Sequence, residues 1–196
     1  MNIAIIILAA GSSSRMKEPK QLLTIRKKTL LGIAIENALN SKCSKVFCVL
    51  GANAELIKNS INNYEIETIV NTEYNKGLSS SIIKGIEHIK PKLFDAAIIM
   101  LADQPNLHSD YLDKLIKIFK ANQEKIIASN YSGINGVPAI FPKRTFQQLL
   151  KLNGDKGAKE FLNSGLIIVK SIQSKDELID IDTKHDYNKY LEKNTN

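Results

Sequence analysis

Tryptophan is absent from the 196 residues, histidine occurs three times and cysteine twice. Cys43 and Cys48 are too few for a disulfide framework and show no metal-ligand pattern, which fits a reducing compartment. His88, His108 and His185 have no metal spacing and no partnering cysteine or serine motif, so they read as surface residues. A Ser-His-Asp hydrolase has no local signature here. No uninterrupted apolar stretch approaches the ~20 residues of a membrane span. The apolar start, Met1 to Gly11, lacks the basic flank of a signal peptide. These absences predict a cytoplasmic protein without a membrane partner. Arginine is scarce too: Arg15, Arg26 and Arg144 stand among 27 basic residues. Against 20 acidic residues the net charge is +7, yet the lysines are scattered and no basic run exceeds three residues. That distribution describes a solvated lysine-rich surface rather than a nucleic-acid face, so no nucleic-acid partner is expected. The charge would still steer small phosphorylated substrates.

What is present is ordinary in bulk, with 43% apolar and 24% charged residues. The length suits one domain of ~100–200 residues, so a single domain over 1–196 is expected, with a frayed polar tail at 192–196. Residues 3–8 are continuously apolar and β-branched, as a strand buried on both faces requires. Residues 46–50, 66–70 and 96–101 read as further strands, and 126–129, 139–141, 167–169 and 178–181 as shorter ones. Helical periodicity fills the gaps at 30–39 (with Thr29 as N-cap), 54–61, 79–89 and 110–120, and near 144–152, 158–163 and 183–191. Strands alternating with helices predict an α/β fold: a mostly parallel, doubly wound sheet with ligands beyond the carboxyl ends of its strands.

That rule directs attention to the loop after the first strand, Leu8-Ala9-Ala10-Gly11-Ser12-Ser13-Ser14-Arg15-Met16-Lys17-Glu18-Pro19-Lys20. Small residues let the backbone turn sharply, and their N–H groups can surround an anion. Arg15 and Lys20 add two cations that balance a polyphosphate. The loop is neither a P-loop nor a dinucleotide fingerprint, having one glycine and no Gly-Lys-Ser/Thr ending.

Three further segments attract notice. Asp103 follows the apolar run 96–101, so it projects from the carboxyl edge of a central strand, either as a turn former or as a ligand for Mg²⁺. Asp180 and Asp182 alternate along the expected strand at 178–181 and share a face; Asp182 alternatively caps the helix that follows. Ser79, Ser80 and Ser81 open a helix after Gly77, as caps do.

The stretch Leu8 to Met16 followed by Lys20-Gln21-Leu22-Leu23 resembles the nucleotide-binding signature of the MobA-like nucleotidyltransferases, and within them the molybdenum cofactor cytidylyltransferase branch. Asn71 with Gly77-Leu78-Ser79-Ser80-Ser81 and Gly85, Ala102-Asp103-Gln104-Pro105, Gly136-Val137-Pro138, Gly154-Asp155-Lys156-Gly157-Ala158 and Asp180-Ile181-Asp182-Thr183 follow in the family's order. The resemblance spans essentially the whole chain. Three positions depart from it. Lys17 stands where glycine is common, Val137 where histidine is frequent, and Ala10 where the guanylyltransferase branch carries glycine, a difference that goes with cytosine.

The resemblance implies a nucleotide-diphospho-sugar transferase-like, Rossmann-like fold that transfers CMP from CTP to the terminal phosphate of a molybdopterin-type cofactor. Arg15, Lys20 and Asp103 are then catalytic. Leu8, Ala9, Ala10, Gly11, Ser12, Arg15, Lys20, Asn71, Gly77, Ser79, Ser81 and Asp155 contact nucleotide or acceptor. Asp103 and Asp182, or Asp180 in its place, hold Mg²⁺ or Mn²⁺. A molybdoenzyme or its maturation chaperone is the implied protein partner. A guanylyltransferase, a sugar- or polyol-phosphate nucleotidyltransferase and a non-catalytic cofactor carrier are the alternatives.

Overall fold

A computed structural model describes residues 1–173 and 178–194. In chain order the elements are β1 (Ile3–Ala9), β2 (Thr24–Ile25), β3 (Lys28–Thr29), α1 (Leu30–Leu39), β4 (Lys45–Leu50), α2 (Ala54–Ser60), β5 (Glu67–Val70) and α3 (Leu78–Ile89). They continue with β6 (Ala96–Leu101), α4 (Ser109–Lys120), β7 (Ile126–Tyr131), β8 (Ile134–Pro142), α5 (Phe146–Leu149), α6 (Ala158–Leu162), β9 (Val169–Gln173) and α7 (Lys184–Asn194).

Seven strands form one sheet in the order β5-β4-β1-β6-β8-β7-β9, parallel except for β8, which runs antiparallel to both neighbours. All seven residues of β1 are buried. Its side chains alternate between two cores, as pleating requires. Ile3, Ile5 and Ile7 meet Leu31 and Ile35 of α1, Ile57 of α2 and Leu112 of α4. Ala4, Ile6 and Leu8 meet Ile82 and Ile86 of α3 and Phe146 of α5. The sheet is therefore covered on both faces, as the alternation of elements predicts. α3 lies so close to β1 that a Cβ at Gly85 would stand 2.8 Å from Ile6 Cγ2. Thr29 caps α1, its Oγ1 accepting from the Gly32 N–H at 3.0 Å.

Several expectations need correction. Residues 178–181 form no strand: Ile181 turns its side chain under α7 onto Ile25 and Leu30, and gives its N–H to the Asp103 carbonyl at 3.0 Å. Asp180 and Asp182 accordingly do not share a strand face and meet different partners. The strand expected at 167–169 begins only at Val169, because parallel pairing with β7 starts there, and leaves Leu166 and Ile168 exposed. The helix near 144–152 shortens to α5 after a 3-10 turn over Lys143–Thr145. α7 runs through Asn194, so the expected frayed tail is helical over 192–194, and 195–196 lie outside the described residues. Among the described residues no helix is long and apolar enough to cross a membrane.

Candidate active site

The carboxyl ends of β1 and β6 carry the site. The loop after β1 is pinned from below. Met16 is fully buried and donates its N–H to the Ser13 carbonyl at 2.8 Å, with Ser13 in the left-handed region at φ 54°. Lys17 is left-handed too, at φ 62°, which gives a physical reason for glycine being common at this position in the resembling family. Buried Gln21 donates both amide hydrogens to loop carbonyls, Ala9 at 2.8 Å and Gly11 at 2.9 Å, while its Oε1 accepts from the Ser13 hydroxyl at 3.3 Å. With those carbonyls occupied, the N–H groups of Gly11 and Ser12 have no partner among the described residues. A Cβ built at Gly11 would meet no heavy atom within 4 Å, so the loop leaves open space above itself.

That space is a cavity of about 490 Å³. Of the expected site residues, Leu8, Ala9, Ala10, Gly11, Ser12, Lys20, Gly77, Ser81, Asp103 and Asp155 line it. Gly77 opens α3 at φ 96°, and a Cβ there would stand 2.3 Å from Asp155 Oδ1; the Gly154–Asp155 turn thus packs directly on the helix start. Asn71 and Ser79 do not line this cavity. Asn71 is buried and fully bonded, donating to Ser80 Oγ at 2.9 Å and Ser81 Oγ at 3.1 Å and accepting from the Glu73 N–H at 3.0 Å. Both border a separate depression of about 350 Å³ on the other side of the α3 start. The serines do not cap α3, whose N-cap is Gly77; Ser80 Oγ instead donates to the Gly77 carbonyl at 2.8 Å.

At the β6 end of the cavity Lys20 and Asp103 meet two expected site residues that do not line it, Arg15 and Asp182. Lys20 Nζ contacts Asp103 Oδ2 and lies 2.9 Å from Asp182 Oδ1, and Arg15 Nη2 lies 3.3 Å from Asp182 Oδ2. Lys20 and Asp103 are largely enclosed, whereas the Arg15 side chain is 67% exposed. Burial alone would lower the Lys20 pKa, but the charge and hydrogen bond of Asp103, with those of Asp182, raise it. Burial likewise works to raise Asp182, and the hydrogen bond and charge of Lys20, followed by Arg15, hold it below the usual carboxylate range. Asp182 does not cap α7. Thr183 and Asp186 close that cap reciprocally: the Thr183 N–H donates to Asp186 Oδ2 at 2.8 Å and the Asp186 N–H to Thr183 Oγ1 at 3.2 Å. The Asp182 carboxylate is left to the cations.

A divalent cation fits this donor set. Asp103 Oδ1 is buried with no partner among the described residues, and Asp182 stands across the same ammonium. No group of three or more His, Cys, Asp or Glu side chains gathers among the described residues. The remaining ligands of an ion here would come from phosphate and water, the habit of Mg²⁺.

A second cavity of about 360 Å³ adjoins the first across Leu8, Leu78 and Leu101. Its floor joins residues from two separate motifs, Gln104 and Asp180, whose pairing motif spacing did not single out. Gln104, 2% exposed, donates through Nε2 to Asp180 Oδ1 at 2.8 Å and to the Tyr131 hydroxyl at 3.2 Å. Tyr131 passes its own hydrogen to the Val137 carbonyl, and burial raises its pKa. Crowding by protein, then the Asp103 charge, raises Asp180. Asp180 thus lines the second cavity, whereas Asp182 meets the first only through its contact with Lys20. Gln21 and Tyr74 of the first cavity were also missed. Gln21 sits beside Lys20 and Gln104 beside Asp103 in their motifs, whereas the Gln104–Asp180 pair spans 76 residues and only the fold joins it.

The family model described as "MobA-like NTP transferase domain" matches residues 5–170. Purine catabolism protein PucB of Bacillus subtilis is 29% identical over 194 residues, covering 93% of this chain and 92% of PucB. Nicotine blue oxidoreductase of Paenarthrobacter nicotinovorans is 29% identical, covering 91% of each chain. Molybdenum cofactor cytidylyltransferase of Escherichia coli is 28% identical, covering 93% of this chain and 92% of its own. Among solved structures, Rv0371c from Mycobacterium tuberculosis H37Rv superposes with a TM-score of 0.86 at 28% identity, over 97% of this chain and 98% of its own. Its complex with manganese superposes with a TM-score of 0.84 at 26% identity, over 98% and 99%.

Proposed function

The chain belongs to the MobA-like NTP transferase family, and from that premise we propose that it transfers CMP from CTP to the terminal phosphate of a molybdopterin-type cofactor, releasing pyrophosphate. The observation that carries the reading is the Lys20–Asp103–Asp182 cluster beside the 490 Å³ cavity, whose small-residue loop holds the Gly11 and Ser12 N–H groups without a partner among the described residues. CTP rather than GTP follows from Ala10, at the position where the guanylyltransferase branch carries glycine.

The nucleotide lies across the end of β1, because the cavity runs from Asp103 on the β6 side to Tyr74 and Asn75 on the β5 side. The triphosphate takes the cationic end and the base the Tyr74 end. Gly11 and Ser12 donate N–H groups to phosphate oxygens, and Lys20 and Arg15 offset their charge. Asp103 and Asp182 would hold Mg²⁺ or Mn²⁺, which when bound supplies charge neutralisation at the reacting phosphoryl group.

The acceptor enters the 360 Å³ cavity, whose walls at Leu78, Ile82, Leu101 and Val137 suit a flat heterocycle. Its phosphate monoester is already ionised near neutral pH, so no side chain has to remove a proton. An acceptor oxygen forms a bond to the α-phosphorus as the bond to the β-phosphate bridge breaks, and pyrophosphate leaves with that electron pair. The residues' work is alignment and electrostatics. A cytoplasmic location and hand-over of product to a molybdoenzyme or its chaperone belong to the same reading.

A second reading keeps the transfer and changes the acceptor to a sugar or polyol phosphate. The exposed Lys156 and Lys159 at the rim of the second cavity favour it. Incubating the protein with each nucleoside triphosphate, Mg²⁺ and molybdopterin decides between them. Pyrophosphate release with CTP and molybdopterin is expected. Release with GTP alone overturns the base assignment, and release with a sugar phosphate but not molybdopterin selects the second reading. Tight molybdopterin binding without turnover would make the protein a carrier.

A further inference from the structure

Lys20 occupies an unusual place for a lysine that serves a triphosphate. Its ammonium does not extend freely into the cavity; it stands between Asp103 Oδ2 and Asp182 Oδ1, touching the first and 2.9 Å from the second. The contact is enclosed, with the Lys20 and Asp103 side chains 18% and 12% exposed. The backbone beneath is fixed by the Lys20 N–H donating to Ser13 Oγ at 3.0 Å and by the Gln21 clamp one residue on. An ion shared by the two carboxylates, at the ~2.1 Å typical of Mg²⁺, would claim the point where the ammonium now sits. One carboxylate pair cannot hold both cations there. Lys20 also lines the nucleotide cavity, so a triphosphate offers its ammonium a second set of anionic oxygens a short side-chain swing away.

We propose that Lys20 is a positioning residue that acts as an internal counter-cation, holding Asp103 and Asp182 until a nucleoside triphosphate draws it off. Nucleotide and divalent cation then bind with a positive coupling that runs through this one side chain. The proposal rests on the assignment of these two carboxylates to a cation under Proposed function. It adds that an ion arriving without nucleotide must displace Lys20 first, which weakens its binding. Arg15, exposed and on the far oxygen of Asp182, does not block that point.

The test is Mn²⁺ binding to the whole chain, read from the free-Mn²⁺ paramagnetic resonance signal, with and without α,β-methylene-CTP. The parent is compared with Lys20→Met and, as a control for loss of one positive charge away from the site, Lys117→Met on the exposed side of α4. Lys20→Met is expected to bind Mn²⁺ alone about 5- to 150-fold more tightly than the parent, the usual span of a coupling free energy. The gain conferred by nucleotide should shrink by the same factor, while Lys117→Met stays near the parent. Chelation of Mn²⁺ by the nucleotide is common to all three proteins and cancels in the comparison. On the parent itself, acetylation of Lys20 mapped by mass spectrometry should rise at saturating Mn²⁺; this readout decides if Lys20→Met does not fold. Equal Mn²⁺ affinity in parent and Lys20→Met, or Lys20 acetylation indifferent to Mn²⁺, overturns the coupling and leaves the cation assignment standing. No Mn²⁺ binding by the parent or any variant, even with nucleotide, overturns both.

Discussion

Gln21 holds Gly11: its Nε2 lies 2.9 Å from the Gly11 carbonyl and, with its other hydrogen, 2.8 Å from that of Ala9. Those carbonyls are thereby occupied, and the Gly11 and Ser12 N–H groups, without a partner among the described residues, are left for a ligand. Gln21→Glu removes both donors and sets a carboxylate against two carbonyls. Leaving buried groups unsatisfied costs about 1–3 kcal/mol. The variant should therefore melt lower and bind CTP at least about tenfold more weakly by calorimetry, tenfold being ~1.4 kcal/mol. Unchanged CTP affinity would separate the clamp from the site.

Asp103 and Asp180 should fail in different ways. Asp103→Asn removes a charge at the reacting centre, and kcat for pyrophosphate release should fall by about 10²–10³, the loss seen when one preorganised electrostatic group is removed. Asp180→Asn changes a partner of Gln104 in the second cavity, a loss of ~1 kcal/mol. The acceptor KM should rise about 5-fold at that energy, with the CTP KM unmoved. Steady-state kinetics with each substrate varied in turn separates the two, and a rise in the CTP KM for Asp180→Asn would contradict the division.

Tyr74 lines the end of the cavity away from Asp103. A base stacked on its ring gains about 1–3 kcal/mol, so Tyr74→Ala should weaken CTP binding while inorganic tripolyphosphate binds as before. Equal losses for both ligands would move the base elsewhere.

Far from the site, Glu67 gathers Lys45 at 2.7 Å, Lys92 at 2.9 Å and His88. The hydrogen bond from Lys45, then that from Lys92, lowers its pKa from 4.5 to about 2. A carboxylate depressed in the folded state stabilises the fold above its unfolded pKa, and that contribution is lost as pH falls through 4.5 towards 2. Melting temperature should drop across that window, and Glu67→Gln should flatten the drop while lowering stability at pH 7. Parallel pH profiles for the two proteins would refute the role of this cluster.

The central strands were legible because β1, β4 and β6 are buried on both faces and read as unbroken apolar runs. The β2–β3 hairpin was not, since its strands have two residues each and its turn places Arg26 and Lys27, rather than glycine or asparagine, at φ 47° and 71°. Residues 178–181 carry a strand-like pattern but bury Ile181 against α1 and the hairpin, a tertiary choice that local periodicity does not encode. In the site, Arg15 and Lys20 announced themselves as cations in the loop after the first strand, and Asp103 as a carboxylate just past a strand end. Gln21 and Gln104 did not, because an amide's importance depends on which carbonyl or carboxylate the fold brings to it.

The account stands on a divalent cation held by Asp103 with a nucleoside triphosphate along the Gly11–Ser12 loop. Crystals soaked with α,β-methylene-CTP and Mn²⁺ test it directly through the anomalous signal of the metal. The predicted result is one Mn²⁺ peak coordinated by the Asp103 carboxylate and by phosphate oxygens, with the cytosine beside Tyr74. A peak away from Asp103, or a triphosphate seated in the depression beside Ser79, would contradict it.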